Sequence, residues 1–169
     1  MKKTLAWARI AAVWHRLIGF IWPAHKKAAL RAHLHATSLT APAPFDIEAK
    51  IIRAITITPP GVIDIGAHVG VYACVLEDIV GSHNLYVFEP LPQLYRRLRW
   101  DFPRAHVFHT ALSDRPGPQC LRVPVIGGKH VQSRATLNQH TEPAQTATRE
   151  ITVPGDTLDA FAQRNRFGP

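Results

Sequence analysis

The first 45 residues of this 169-residue chain contain no acidic residue, and the whole chain holds only two cysteines and no unbroken apolar run of membrane-spanning length, about 18 residues. Each absence excludes something. Cys74 and Cys120 lie 46 positions apart, with no CxxC partner and no tight Cys/His cluster, which excludes a disulfide framework and a zinc knuckle and fits a reducing cytoplasm. Charged residues make up 19 % of the chain, below the roughly 25 % of average soluble proteins. The 46 % apolar share is ordinary, so disorder throughout is excluded and a buried core is expected. The length suits one domain or a piece of a larger one, and excludes two full domains.

The formal charge of +8 is unevenly placed. Residues 1–45 carry seven basic side chains, whereas residues 46–169 carry thirteen basic and twelve acidic ones. A domain that grips phosphate backbones spreads Lys and Arg over its own face, so no nucleic-acid partner is expected. His33 and His35, and His106 and His109, are spaced closely enough to aim two imidazoles at one ion. The first pair lacks a neighbouring carboxylate or thiol and the second falls on a strand, so both are read as surface or core histidines, with no metal site.

Two divisions follow: a basic segment and linker over residues 1–44, and the domain proper over residues 45–169. Between Leu5 and Trp22, Arg9 and Arg16 interrupt the apolar stretch, which excludes both a membrane span and a clean signal peptide. At helical spacing Trp7, Ile10, Trp14, Leu17, Ile18 and Ile21 share one arc, with Lys2, Arg9 and Arg16 opposite. This amphipathic N-terminal helix suits two roles: peripheral membrane contact through residues 5–22, at the inner face of a membrane, or docking on its own domain. A second basic helical piece spans residues 24–36, and Ala41-Pro42-Ala43-Pro44 reads as the linker.

Beyond Phe45, Asp46 is placed to cap a helix over Ile47–Ile55. The β-branched run Val62–Ile65 passes through Gly66-Ala67-His68-Val69-Gly70 into a helical stretch, Val71–Val80. A second strand, Leu85–Phe88, ends at Glu89-Pro90; a helix follows over about residues 92–102; a third strand, Val107–Ala111, ends at Leu112-Ser113-Asp114. Strands alternating with helices at this spacing predict an α/β fold with a parallel sheet and a Rossmann-like order. Ligands of such sheets bind beyond the carboxyl ends of the strands, where Asp64, Gly66, Glu89, Ser113 and Asp114 fall. Gly66 and Gly70 let backbone approach a ligand, and Glu89, 23 positions after Gly66, is placed to take ribose hydroxyls. The plainer alternative is a tight turn with close helix packing and a solvated strand end.

The glycine spacing is D-x-G-x-x-x-G, with His68 where a dinucleotide site would have its second glycine, so a pyrophosphate ligand and a nicotinamide oxidoreductase are disfavoured. The turn resembles that of S-adenosylmethionine-dependent methyltransferases. With Val87-Phe88-Glu89-Pro90, with Thr110-Ala111-Leu112-Ser113-Asp114-Arg115-Pro116-Gly117 and with the later Val153-Pro154-Gly155-Asp156-Thr157-Leu158-Asp159, residues 45–160 are similar in order and spacing to the FkbM-type methyltransferase family. The departure is His68, where the family usually has Asn. The resemblance implies a class I methyltransferase fold that transfers a methyl group from S-adenosyl-L-methionine to a small-molecule hydroxyl acceptor, on a sugar or secondary metabolite. It assigns Asp64, Gly66, Ala67, His68 and Gly70 to the methionine and ribose side, Glu89 to the ribose, and Leu112, Ser113 and Asp114 to the adenine. It names no catalytic base; His68 is the nearest candidate.

In the family a fourth strand with a Lys-x-Asp-x-Glu-Gly-type motif follows the Thr-Leu-Asp element, and this text stops before it. The expectation is therefore a truncated fold, three strands plus a β-hairpin insert, with Val62–Ile65 as an open edge that a partner chain could complete. Within the insert, Gln119–Val125 and Arg149–Val153 read as strands around a polar loop, Gly127–Thr148, whose Lys129, His130 and Arg134 could meet an anionic acceptor. The competing functions are an O-methyltransferase and a catalytically silent fragment that acts as a membrane-peripheral or protein-interaction module.

Overall fold

The computed structural model describes residues 61–139 and 141–165, together with Glu48, Lys50, Ile51, Ile52 and Ala54, which are helical. The expected N-terminal amphipathic helix, the second basic piece, the linker, the Asp46 cap and His33 and His35 lie outside the described residues.

Strand β1 (Val62–Ile65) leads into α1 (Val71–Val80), β2 (Leu85–Phe88), α2 (Pro92–Asp101) and β3 (His106–Phe108). The strands form one parallel sheet in the order β1-β2-β3, with Val62 opposite Leu85 and Tyr86 opposite His106. Alternation within β2 decides which side each helix covers. Leu85 and Val87 are fully buried against Ala73, Cys74, Leu76, Leu98 and Phe102 from α1, α2 and the residue after α2. Tyr86 and Phe88 serve the opposite face. There Phe161 of α3 (Leu158–Asn165) stands edge-on to Phe88 and Phe108, with ring centroids 4.8 and 4.9 Å away. Thr157 starts α3, its Oγ1 accepting the Ala160 N–H at 3.1 Å. The result is an α/β layer structure compatible with a Rossmann-like fold.

After β3 the chain makes β4 (Ala111–Leu112), a hairpin of β5 (Gln119–Ile126) and β7 (Gln145–Val153) with the short β6 (Lys129–His130) along the other edge of β5, and β8 (Gly155–Asp156). β8 returns to pair in parallel with β4, which closes the insert on itself. Leu121, Val123 and Val153 from the hairpin pack with Leu91, Leu94 and Ala111, so the insert is docked on the start of α2.

Two expected boundaries are corrected. The run Val107–Ala111 is not one strand but two, broken at His109–Thr110. The His109 ring turns to stack on Tyr95 at 4.9 Å and sets Nε2 2.9 Å from the Pro90 carbonyl, while Ala111 and Leu112 pair with β8. The polar loop Gly127–Thr148 contains β6 and the first residues of β7; because Thr146–Glu150 are exposed throughout, they show no apolar alternation. His106 lies apart from His109, with Nε2 3.1 Å from the His83 carbonyl and its ring on Tyr86. Among the described residues no three metal-ligating side chains gather, and no helix is long and apolar enough to cross a membrane. β1 is an edge strand whose outer side has no partner among the described residues, and Ile65 at its end is 56 % exposed.

Gly70 has a structural role. Its φ of +84° is a left-handed conformation, and a Cβ there would fall 2.8 Å from Phe102 Cε2 and 2.9 Å from Leu98 Cδ2. It lets α1 begin directly against α2. Gly70→Ala is expected to cost about 2–4 kcal/mol from backbone strain and core overpacking together, read as a lower midpoint in urea denaturation; a midpoint equal to that of the wild type would show that the two helices can separate freely here.

Candidate functional site

Because β1, β2 and β3 are parallel, their carboxyl ends share one rim, and backbone bonds stitch the rim into steps. The Gly66 and Ala67 N–H groups both donate to the Phe88 carbonyl, at 2.9 and 3.1 Å, and the Glu89 N–H donates to the Phe108 carbonyl at 3.1 Å. Glu89 is 3 % exposed and fastens two loops at once. Its Oε2 accepts the His68 N–H and its Oε1 the Leu91 N–H, each at 2.8 Å. Burial pushes its carboxyl above the ordinary range, while the two amides pull it back. Each carboxylate oxygen carries two lone pairs, so a further hydroxyl donor can still be accepted.

The turn held by Glu89 is unusual at position 68. His68 is the one non-glycine described residue with positive φ, at 54°. Asn is more at ease in this region than a bulkier side chain, and histidine is among the residues that tolerate it. The conformation thus gives a backbone reason for a residue of this kind at position 68. Gly66, at φ +76°, has no atom within 4 Å of where a Cβ would sit, so here the glycine leaves open space.

Beneath the turn lies Asp64, 8 % exposed. Its Oδ2 is buried with no hydrogen-bond partner. Burial raises the carboxyl from an ordinary 3.8 to about 6; an Ala73 backbone hydrogen bond from the first turn of α1 opposes the shift, and the nearby Glu89 charge adds to it. An unpartnered carboxylate oxygen in this position can receive a cationic or hydrogen-bonding group.

Above the rim opens a cleft of about 620 Å3. Its sheet-side wall is Ile65, Gly66, Pro90 and residues 110–115; its opposite wall is Gln119, Leu121 and residues 135–138 of the insert. The second wall is fixed in place: Thr136 and Arg122 exchange two backbone bonds of 2.8 and 2.9 Å, and the Arg122 guanidinium donates to the Leu137 carbonyl at 3.1 Å while pairing with Glu150.

Of the residues expected from sequence, Gly66, Leu112, Ser113 and Asp114 line the cleft. Asp64, Ala67 and Glu89 are buried at the rim, and Gly70 packs against Leu98 and Phe102, as the plainer alternative for that glycine had it. His68 is held through its backbone and is not among the cleft-lining residues. Lys129 and His130 are exposed on β6, and Arg134 pairs with Glu142, outside the cleft walls. Sequence reasoning missed Pro90, whose Glu-Pro context was a usable signal, and Gln119 and residues 135–138, which carry no local signature. Compared with family models, curated proteins and solved structures, the chain matches none, so the site stands on its own residues.

Proposed function

We propose that the cleft binds S-adenosyl-L-methionine and that the chain is an O-methyltransferase of the FkbM type, acting on a hydroxyl of a sugar or secondary metabolite. One observation carries the reading: the D-x-G turn and the Leu112-Ser113-Asp114 element, far apart in sequence, border the same nucleoside-sized cleft at the carboxyl ends of parallel strands. The residues present fit that ligand, since Gly66 leaves room over the turn and Asp64 Oδ2 lacks a partner.

When bound, this cofactor supplies an electrophilic methyl group on a sulfonium. Asp64, beneath the turn and not in the cleft walls, would set its charge against the ammonium of the methionine tail. Glu89, buried at the rim, would hold the His68 and Leu91 turns in place beside the ribose and has lone pairs left for a hydroxyl that reaches it. Leu112 and Pro90 give apolar contact beside the polar Ser113 and Asp114. The chain's contribution to rate is positioning, which holds the acceptor oxygen near attack distance. His68, held through its backbone and outside the cleft walls, is not assigned as the base.

S-adenosylhomocysteine is expected to raise the melting temperature in a concentration-dependent way, as a ligand that binds only the folded chain must, with no comparable effect of nicotinamide adenine dinucleotide. Equal stabilisation by the dinucleotide would point instead to a pyrophosphate site.

A second reading, a membrane-peripheral module, is favoured by one feature. Trp100 is 72 % exposed and shares an open pocket with Tyr95, Arg96 and Arg99 on α2. An exposed indole beside arginines suits an anionic lipid surface. It is expected that the chain co-sediments with anionic vesicles and that Trp100→Ala weakens this severalfold; equal binding to zwitterionic vesicles, or none, would dismiss the reading.

A further inference from the structure

Gln119 stands outside every motif that suggests the function, yet it is the most deeply buried polar side chain in the cleft wall, at 8 % exposure. Two features fix it. Gly155 supplies a notch: a Cβ there would fall 2.3 Å from Gln119 Cγ and 2.6 Å from the Gly117 carbonyl, so any larger residue would push the side chain out. The amide nitrogen is then fastened, Nε2 donating to the Arg115 carbonyl at 3.1 Å and the Gly117 carbonyl at 3.4 Å. Both amide hydrogens are used. Reversing the amide would set its oxygen against those two carbonyl oxygens, so the orientation is determined. Oε1 is left with no hydrogen-bond partner among the described residues, as an acceptor open to the cleft that Gln119 lines.

We infer that Gln119 selects the base of the bound nucleoside, its Oε1 accepting a hydrogen bond from the exocyclic amine of adenine. The inference rests on the S-adenosylmethionine reading of the cleft, and it assigns this selectivity to Gln119 rather than to the exposed Asp114 on the facing rim. A purine with an oxo group in place of the amine would set two acceptors against each other and, with the ligand covering the cleft, leave Oε1 unpaired.

The test is calorimetric titration of the full chain with S-adenosylhomocysteine and with its inosine counterpart, repeated on Gln119→Met and Asp114→Ala. The wild type and Asp114→Ala are expected to prefer the adenine compound by about 10- to 100-fold, and Gln119→Met to bring the two within about threefold. Equal binding of both compounds by the wild type overturns the role of Gln119 and leaves the cofactor reading standing. Binding of neither overturns both. If Gln119→Met melts below the assay temperature, Asp114→Ala decides: preference kept there supports Gln119, and preference lost there overturns it.

Discussion

Glu89→Ala is expected to lower stability by about 2–4 kcal/mol and to weaken S-adenosylhomocysteine binding by 100-fold or more. The carboxylate accepts the His68 and Leu91 N–H groups at 2.8 Å each, and its loss leaves both donors without partners. Hydrogen bonds to a charged acceptor are worth about 1.5–3 kcal/mol each. Part of that is offset, because burial disfavours the charge and has raised the pKa of Glu89. The balance remains unfavourable because two turns come loose together, the one that shapes the Gly66 floor and the one that starts α2. Glu89→Gln keeps one acceptor oxygen and turns an NH2 toward the other amide, so its loss should be intermediate. Thermal unfolding measures the first effect and calorimetry the second. A variant that melts within about 2 °C of the wild type would mean that Glu89 does not hold these loops.

Asp64→Asn is expected to act in opposite directions on stability and on binding. The Asp64 carboxyl titrates near 6 in the fold against an ordinary 3.8, so between those values the folded chain holds more protons than the unfolded one. The contribution of this group is therefore fully present below about pH 4 and is lost as pH rises through 6, a difference of roughly 3 kcal/mol at most. Asn carries no charge and escapes the loss, though its NH2 has no acceptor and forfeits part of the gain. Asp64→Asn should fall about 1–2 kcal/mol below the wild type at pH 4 and exceed it by about 1–2 kcal/mol at pH 8, the latter roughly 2–8 °C in melting temperature for a chain of this length. Cofactor binding at pH 8 should fall at least tenfold, because the methionine ammonium loses its carboxylate. A variant that is more stable and binds equally well would make Asp64 a buried liability with no ligand to meet.

How much of this was legible in the sequence depended on how local each cause was. The three parallel strands and the two helices between them followed from apolar periodicity and glycine turns; α3 was not foreseen, although Thr157 just before it is an N-cap signal. Gly66 and Gly70 look alike in sequence and differ in space: one leaves room over the turn, the other admits Leu98 and Phe102. No local rule separates them, because the deciding atoms belong to α2. The β3–β4 break depends on where β8 returns, and the early part of β7 is too polar to announce a strand. Gln119 was illegible for the same reason, since Gly155, which makes its notch, lies on another strand. The residues of the sheet-side rim were readable, and so were the two hairpin strands of the insert; which insert residues form the facing wall was not.

Calorimetric titration of the purified chain with S-adenosylhomocysteine near pH 8, alongside Gly66→Val, tests the cofactor assignment most directly. Saturable binding at one site per chain, abolished by a side chain that strains the left-handed Gly66 turn and fills the space over it while the variant remains folded, is the expected result. A folded wild-type chain that takes up no ligand would contradict the assignment and leave the cleft to some other occupant.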